Sequence, residues 1–199
     1  MPKVSAERLE GTRRRILDGA RQAFAEHGYD GATVKCLEEN TGLSRGAIFH
    51  HFRDKDAIFL ALAQEDADSL ARTVASDGLV GAMRRLPGRD AGWLGVQLEV
   101  SRRLRTDPAF REQWSRHTAA VSRAAQRRLA AGQQAQAVRA DVPAEILASF
   151  LQLVYDGLVL HLAAGLPDRH AAAVLDLAEA AVRRPTDSPH DEPRHQEQP

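Results

Sequence analysis

Cysteine is almost missing from this sequence: Cys36 stands alone. One thiol closes no internal disulfide, which excludes a disulfide-stapled scaffold and makes a reducing, cytoplasmic setting the simple reading. Among charged neighbours, and without a partner His or second Cys, Cys36 reads as an ordinary helix residue rather than a redox sensor. Tryptophan and tyrosine occur twice each, so Leu, Ala and Val must build most of the interior. No apolar run approaches the roughly 18 residues that cross a bilayer. The opening MPKVSAER lacks the apolar centre of a signal peptide, and no membrane partner is expected. Neither sign of charge is in excess, with 27 basic and 27 acidic residues. That excludes a non-specific polyelectrolyte binder but not a small basic surface; residues 1–55 carry ten Lys or Arg against eight acids. Also missing are GxGxxG, a P-loop, HExxH, GxSxG and CxxC, the motifs that cradle phosphates, hold zinc or present a nucleophile. Neither an enzyme nor a required cofactor is expected.

What the chain does have is helical pattern. Ala, Leu, Arg and Glu dominate and period-two alternation is absent, so an all-α fold is expected. Ile16, Ala20, Ala23, Phe24 and His27 fall at three- and four-residue steps, predicting an amphipathic helix over 12–27 that Gly28 ends. Thr33 predicts the N-cap of a helix over 34–40, Ser44 that of one over 45–51, and Asp54 that of a long one to about residue 76. A short helix and a Pro/Gly loop follow, then helices over 93–105, 108–131, 143–164 and 168–184. The third-last of these starts on Asp107 as N-cap with Pro108 in first position. The closing PTDSPHDEPRHQEQP has four prolines and no aliphatic residue, and is expected to be disordered. The predicted organisation is a three-helix DNA-binding domain over 1–55, an effector-binding and dimerisation domain over 56–184, and a tail over 185–199.

The function is written most clearly in TGLSRGAIFHHFRDK, residues 41–55. Two short helices separated by TGLS form a helix-turn-helix, whose second helix enters the major groove. Ser44, Gly46 and Ala47 are small, as a leading edge that approaches base edges must be. Arg45 can reach guanine or a phosphate. Ile48 and Phe52, four apart, are expected to face inward, and Phe49, His50 and His51 the DNA backbone. Adjacent histidines point about 100° apart on a helix, so phosphate contact is preferred over a metal pair. Lys55 adds charge at the next helix start. Thr33 and Lys35, in the first helix, complete the expected DNA-binding set.

GATVKCLEENTGLSRGAIFHHFRDKDAIFLAL resembles the DNA-binding domain of TetR-family transcriptional repressors. The likeness is specific over residues 12–62, where glycine, serine, aromatic, histidine, phenylalanine and lysine fall in the family's order. The family usually has tyrosine where this chain has Phe49, so one hydroxyl-to-phosphate bond worth about 1 kcal/mol is missing. AEHGYDGATV, SRGAIFHHF, LRTDPAFR, DVPAEIL and LDLAEAAVR, spread over both halves, are similar to the branch of that family that represses an aconitase gene of the tricarboxylic acid cycle. That resemblance implies a citrate-like carboxylate effector carrying Mg²⁺. The alternative is a repressor of an efflux or catabolic gene, released by an apolar molecule.

Trp114, Val121 and Arg128 are spaced by seven, so Arg128 continues an apolar stripe as a buried guanidinium. Leu175, Glu179 and Val182 place Glu179 on an apolar face. Spacing alone favours an Arg128–Glu179 salt bridge; the resemblance instead implies that both line the effector site, with Glu179 near a bound Mg²⁺. Glu99, Arg102, His117 and Asp156 are further effector candidates. Asp156 interrupts FLQLVYDGLVLHL and reads equally as a pocket acid or as a hydrogen-bonded residue at a subunit interface. Trp93 and Trp114 read as core. The last two helices are apolar on more than one face, which a monomer cannot bury. The resemblance implies a four-helix interface, and a twofold dimer would present two recognition helices to a palindromic operator.

Overall fold

Among the described residues every regular element is a helix, and the nearest approach to a strand is one isolated bridge between Val138 and Arg183. The computed structural model describes residues 2–89 and 91–185, with the side chains of 2–6, 91, 113, 116 and 117 excepted. The tail from residue 186 and the effector contact expected of His117 therefore lie outside the described residues.

Helix α1 (Pro2–Gly31) bends at Gly28, whose φ of 67° is the break that the sequence marks as a helix end. Helix α2 (Val34–Thr41) and α3 (Arg45–His51) follow, N-capped by Thr33 and Ser44 as expected. Asp54 caps α4 (Lys55–Met83), accepting the Ala57 N–H at 2.7 Å. Helix α4 runs past the expected end because it resumes after a break at Gly78. A 3-10 turn (Leu86–Gly88) leads to α5 (Ala91–Thr106), α6 (Pro108–Gln134), α7 (Ala144–Ala163) and α8 (Ala171–Val182).

Two apolar clusters hold these helices. Around Ile16, Phe24, Leu37, Ile48 and Phe59, α1–α3 close onto the first half of α4, with Val100 and Trp114 completing the cluster. Around Met83, Trp93, Leu129, Leu151 and Leu175, the second half of α4 packs with α6, α7 and α8. Helix α4 contributes residues to both.

Helix α7 corrects one expectation. It is a single 20-residue helix, long and apolar enough by composition to cross a membrane. Asp156 interrupts the run in sequence without interrupting the helix. Its buried face (Leu147, Leu151, Tyr155, Val159) sits in the second cluster, while Ile146, Phe150, Leu153 and Leu160 form an exposed stripe. Val174 and Leu177 of α8 are exposed as well.

Candidate nucleic-acid interface and effector cavities

The α2–α3 turn is built by its own residues. Gly42 lies in the left-handed region (φ 61°, ψ 26°) and donates its N–H to the Glu38 carbonyl at 2.8 Å. A Cβ there would stand 2.6 Å from Arg15 Nη2, and Arg15 Nε donates to the Thr41 carbonyl at 2.7 Å. The left-handed conformation is what favours glycine here, since a side chain would only have to displace the flexible end of Arg15. The buried Thr41 hydroxyl donates to the Leu37 carbonyl at 2.7 Å and accepts the Leu43 N–H at 3.2 Å.

On this frame α3 buries Ile48 and Phe52 as expected, with the Arg13 guanidinium 4.6 Å from the Phe52 ring centre. The opposite side is open. Ser44, Arg45, Gly46 and His50 are exposed, and a Cβ on Gly46 would meet nothing within 4 Å. Nothing inside the protein demands a small residue there. The Arg45 N–H donates to a Glu38 carboxylate oxygen at 2.7 Å, while its guanidinium lies 5.8 Å from the Phe49 ring centre. Ala47, Phe49 and His51 are half-buried at the margin, and the two imidazoles meet edge-on at 5.6 Å. No cluster of three metal-ligating side chains exists among the described residues.

In the first helix of the motif, Thr33 is exposed and caps α2, accepting the Cys36 N–H at 3.3 Å. Lys35 is exposed beside Glu39 at 3.8 Å. Lys55 departs from expectation: its ammonium turns back, donating to the Tyr29 carbonyl at 2.7 Å and lying 4.3 Å from the Tyr29 ring. It ties the start of α4 to the end of α1.

Arg128 and Glu179 do come to one cavity, of about 610 Å³, between α4, α6 and α8. Their environments differ from the expected ones. Arg128 is exposed rather than buried, and its Nη1 donates to the Ala75 carbonyl at 3.2 Å. The Arg128–Glu179 bridge is replaced: Glu179 accepts from Arg84 Nη2 at 2.8 Å and Arg183 Nη2 at 2.6 Å. Those two guanidiniums hold its carboxyl below the usual carboxylate range. Arg84 also meets Asp176 at 2.6 Å. Arg84 and Arg183 were missed by spacing. Arg183 is signalled by its position four residues after Glu179; Arg84, on another helix, has no sequence signal.

Glu99 and Arg102 lie elsewhere, at the junction of α5 with α1 and α4. Glu99 accepts from Arg102 Nη2 at 2.6 Å and Arg103 Nε at 2.9 Å. Burial alone would push Glu99 up, but these arginines hold it low. Arg103 reaches Asp56 at 2.8 Å and lies 4.3 Å from the Tyr29 ring centre. The α5 register turns residues 99, 102 and 103 toward the DNA-binding helices, away from the Arg128 cavity.

Asp156 lines a second cavity of about 430 Å³ between α4, α5, α6 and α7, together with Asp66, Trp93, Trp114 and Tyr155. Its carboxylate accepts the Gln152 amide at 2.8 Å, yet burial pushes its pKa up.

Comparison with known proteins agrees with this architecture. Residues 16–62 match the model of bacterial regulatory proteins of the tetR family. The chain is 52% identical over 186 residues to the HTH-type transcriptional repressor Rv1474c of Mycobacterium tuberculosis, covering 92% of this chain and all of that one. It is 48% identical over 188 residues to the HTH-type transcriptional repressor AcnR of Corynebacterium efficiens, covering 93% of this chain and all of that one. Among solved structures, a transcriptional regulator from Saccharomonospora viridis superposes with a TM-score of 0.75 at 23% identity, over 88% of this chain and 100% of that one. With a full-length likeness to transcriptional repressors rather than enzymes, the chain belongs to the TetR family of bacterial regulatory proteins.

Proposed function

We propose that this chain represses an aconitase gene as a homodimer and releases its operator when citrate binds together with Mg²⁺. The observation that carries the reading is the gathering of Arg84, Arg128 and Arg183 with Glu179 around one cavity. It is supported by the full-length similarity to the aconitase repressor AcnR. Guanidinium groups suit carboxylates through paired, charge-assisted hydrogen bonds. Arg128, whose Nη1 is satisfied by a neutral carbonyl, keeps its charge available to an anion. Glu179 would repel a tricarboxylate, so a divalent cation between them fits; Mg²⁺ takes one or two protein carboxylates and completes its shell from ligand and water.

The exposed stripe on α7 (Ile146, Phe150, Leu153, Leu160), with Val174 and Leu177 on α8, supports the dimer, since such a contiguous apolar face seeks a partner. Twofold pairing would set two α3 helices for palindromic half-sites. The effector would act by preferring a dimer whose α3 spacing mismatches successive grooves. Operator binding measured by fluorescence anisotropy on aconitase promoter DNA tests this. Citrate with Mg²⁺ is expected to weaken binding about 5–150-fold, and Arg128→Ala with Glu179→Gln to abolish that response while retaining DNA binding. A citrate-insensitive operator affinity in the presence of Mg²⁺ rejects the effector.

A further inference from the structure

One guanidinium of the effector domain grips the helix-turn-helix at both of its stems. Arg103, on α5, has 13% of its side chain exposed. Its fork is divided between two helices. Nε donates to Glu99 on α5 itself at 2.9 Å, and Nη2 donates to Asp56 in the first turn of α4 at 2.8 Å. The Tyr29 hydroxyl, near the end of α1, donates to the same Asp56 oxygen. Rings from three other helices gather about the guanidinium carbon. Their centres lie at 4.3 Å for Tyr29 of α1, 4.8 Å for Phe59 of α4 and 5.7 Å for Phe110 of α6. Both α2 and α3 lie whole between Tyr29 and Asp56 in the chain, so Arg103 holds the point where the motif begins and the point where it ends.

Stability alone does not ask for an arginine here. Replacing a shielded ion pair by apolar side chains of similar volume is often neutral or stabilising. Burial pushes the Arg103 pKa down, and the Asp56 and Glu99 hydrogen bonds more than reverse that. An apolar residue could not supply direction. Val96 and Val100 of α5 share an apolar cluster with Ile16, Ala20 and Phe24 of α1, and such contacts are non-directional. A planar fork with one edge on its own helix and the other on α4 fixes an angle.

We infer that Arg103 is the positioning residue that sets the angle of α2–α3 against the effector domain, and so the half-site spacing that the repressor accepts. It acts through Asp56 and Tyr29 rather than by reading bases. In a twofold dimer the separation of the two α3 helices follows from that angle, and half-site spacing follows from the separation. The inference rests on the homodimer proposed above and not on its effector.

The unaltered full-length protein first selects an operator from a random-sequence duplex pool, so no target gene is assumed. Anisotropy then compares that operator with versions carrying one base pair more or fewer between the half-sites. The unaltered protein is expected to lose about tenfold or more on either altered spacing, and Arg103→Met less than about threefold, while sedimentation finds both dimeric. Arg103→Lys keeps the charge without the fork, and is expected to behave like Arg103→Met rather than to rescue. Should Arg103→Met not fold, Asp56→Asn at a position 59% exposed decides, with the same relaxation expected. A merely structural arginine would lower Tm and weaken every spacing in proportion; unchanged ratios overturn the inference. So does an unaltered protein indifferent to spacing. An unaltered protein that sediments as a monomer rejects the homodimer, and the inference falls with it.

Discussion

Gly78 and Arg128 compete for one volume: the Arg128 Nε lies 3.0 Å from where a side chain on residue 78 would begin. Gly78 has φ 77° and ψ 171°, a region essentially closed to other residues. The break in α4 is what lets Arg128 lie across it and reach the Ala75 carbonyl. Gly78→Ala is expected to cost about 1–3 kcal/mol in urea unfolding, and to dull the citrate response by displacing Arg128. Unchanged stability would show that the break tolerates a side chain.

Arg45 is exposed at the start of α3, its backbone held by Glu38 while its guanidinium is free of any carboxylate among the described residues. If it reads guanine, Arg45→Ala weakens the operator by about 1–3 kcal/mol and relaxes preference at one base pair per half-site. A uniform loss across all sequences, with a shallower salt dependence, would instead assign it to phosphate.

Acid titration separates the two cavities. Glu179 lies below its ordinary 4.5 because Arg84 and Arg183 donate to it. A depressed acid adds stability that is present above its unfolded pKa and lost as the pH falls through the folded value. Asp156 lies above its ordinary 3.8 because burial outweighs the Gln152 hydrogen bond; its ionisation opposes folding at neutral pH, and the penalty disappears in acid. Thermal melts should therefore show Glu179→Gln lowering Tm and Asp156→Asn raising it at neutral pH, the Glu179 difference closing as the pH falls through its folded pKa and the Asp156 difference closing below its unfolded pKa. Glu179 is one-third exposed and Asp156 is exposed, so solvent screening keeps both effects small. Differences that persist unchanged in acid would dissociate them from ionisation.

Leu153 is 72% exposed on α7 and contributes little to the monomer's own core. Leu153→Asp should leave the far-ultraviolet circular dichroism unchanged, halve the mass in sedimentation, and abolish high-affinity operator binding. A dimer that persists would move the interface away from α7.

The helix-turn-helix was legible in the sequence because its determinants are local. Thr33, Gly42, Ser44 and Ile48 act within a few residues of themselves, and the structure places caps, turn and inward face where spacing puts them. Lys55 misled because its ammonium chose a carbonyl 26 residues away. Glu99 and Arg102 misled because a helical period says which residues share a face, not which neighbour that face meets.

The residues of the two cavities show the same division. Along the heptad Trp114 and Val121 are buried but Arg128 is exposed, and one partner of Glu179 proved to be Arg84, 95 positions away. Sequence by itself determined the helices, their caps and the surface offered to DNA, since each follows from hydrogen bonds and side-chain periodicity within one or two turns. Only the tertiary structure decided which charges meet, because apolar packing sets the angle and register of distant helices, and short-range electrostatics then acts on whatever that packing brings together.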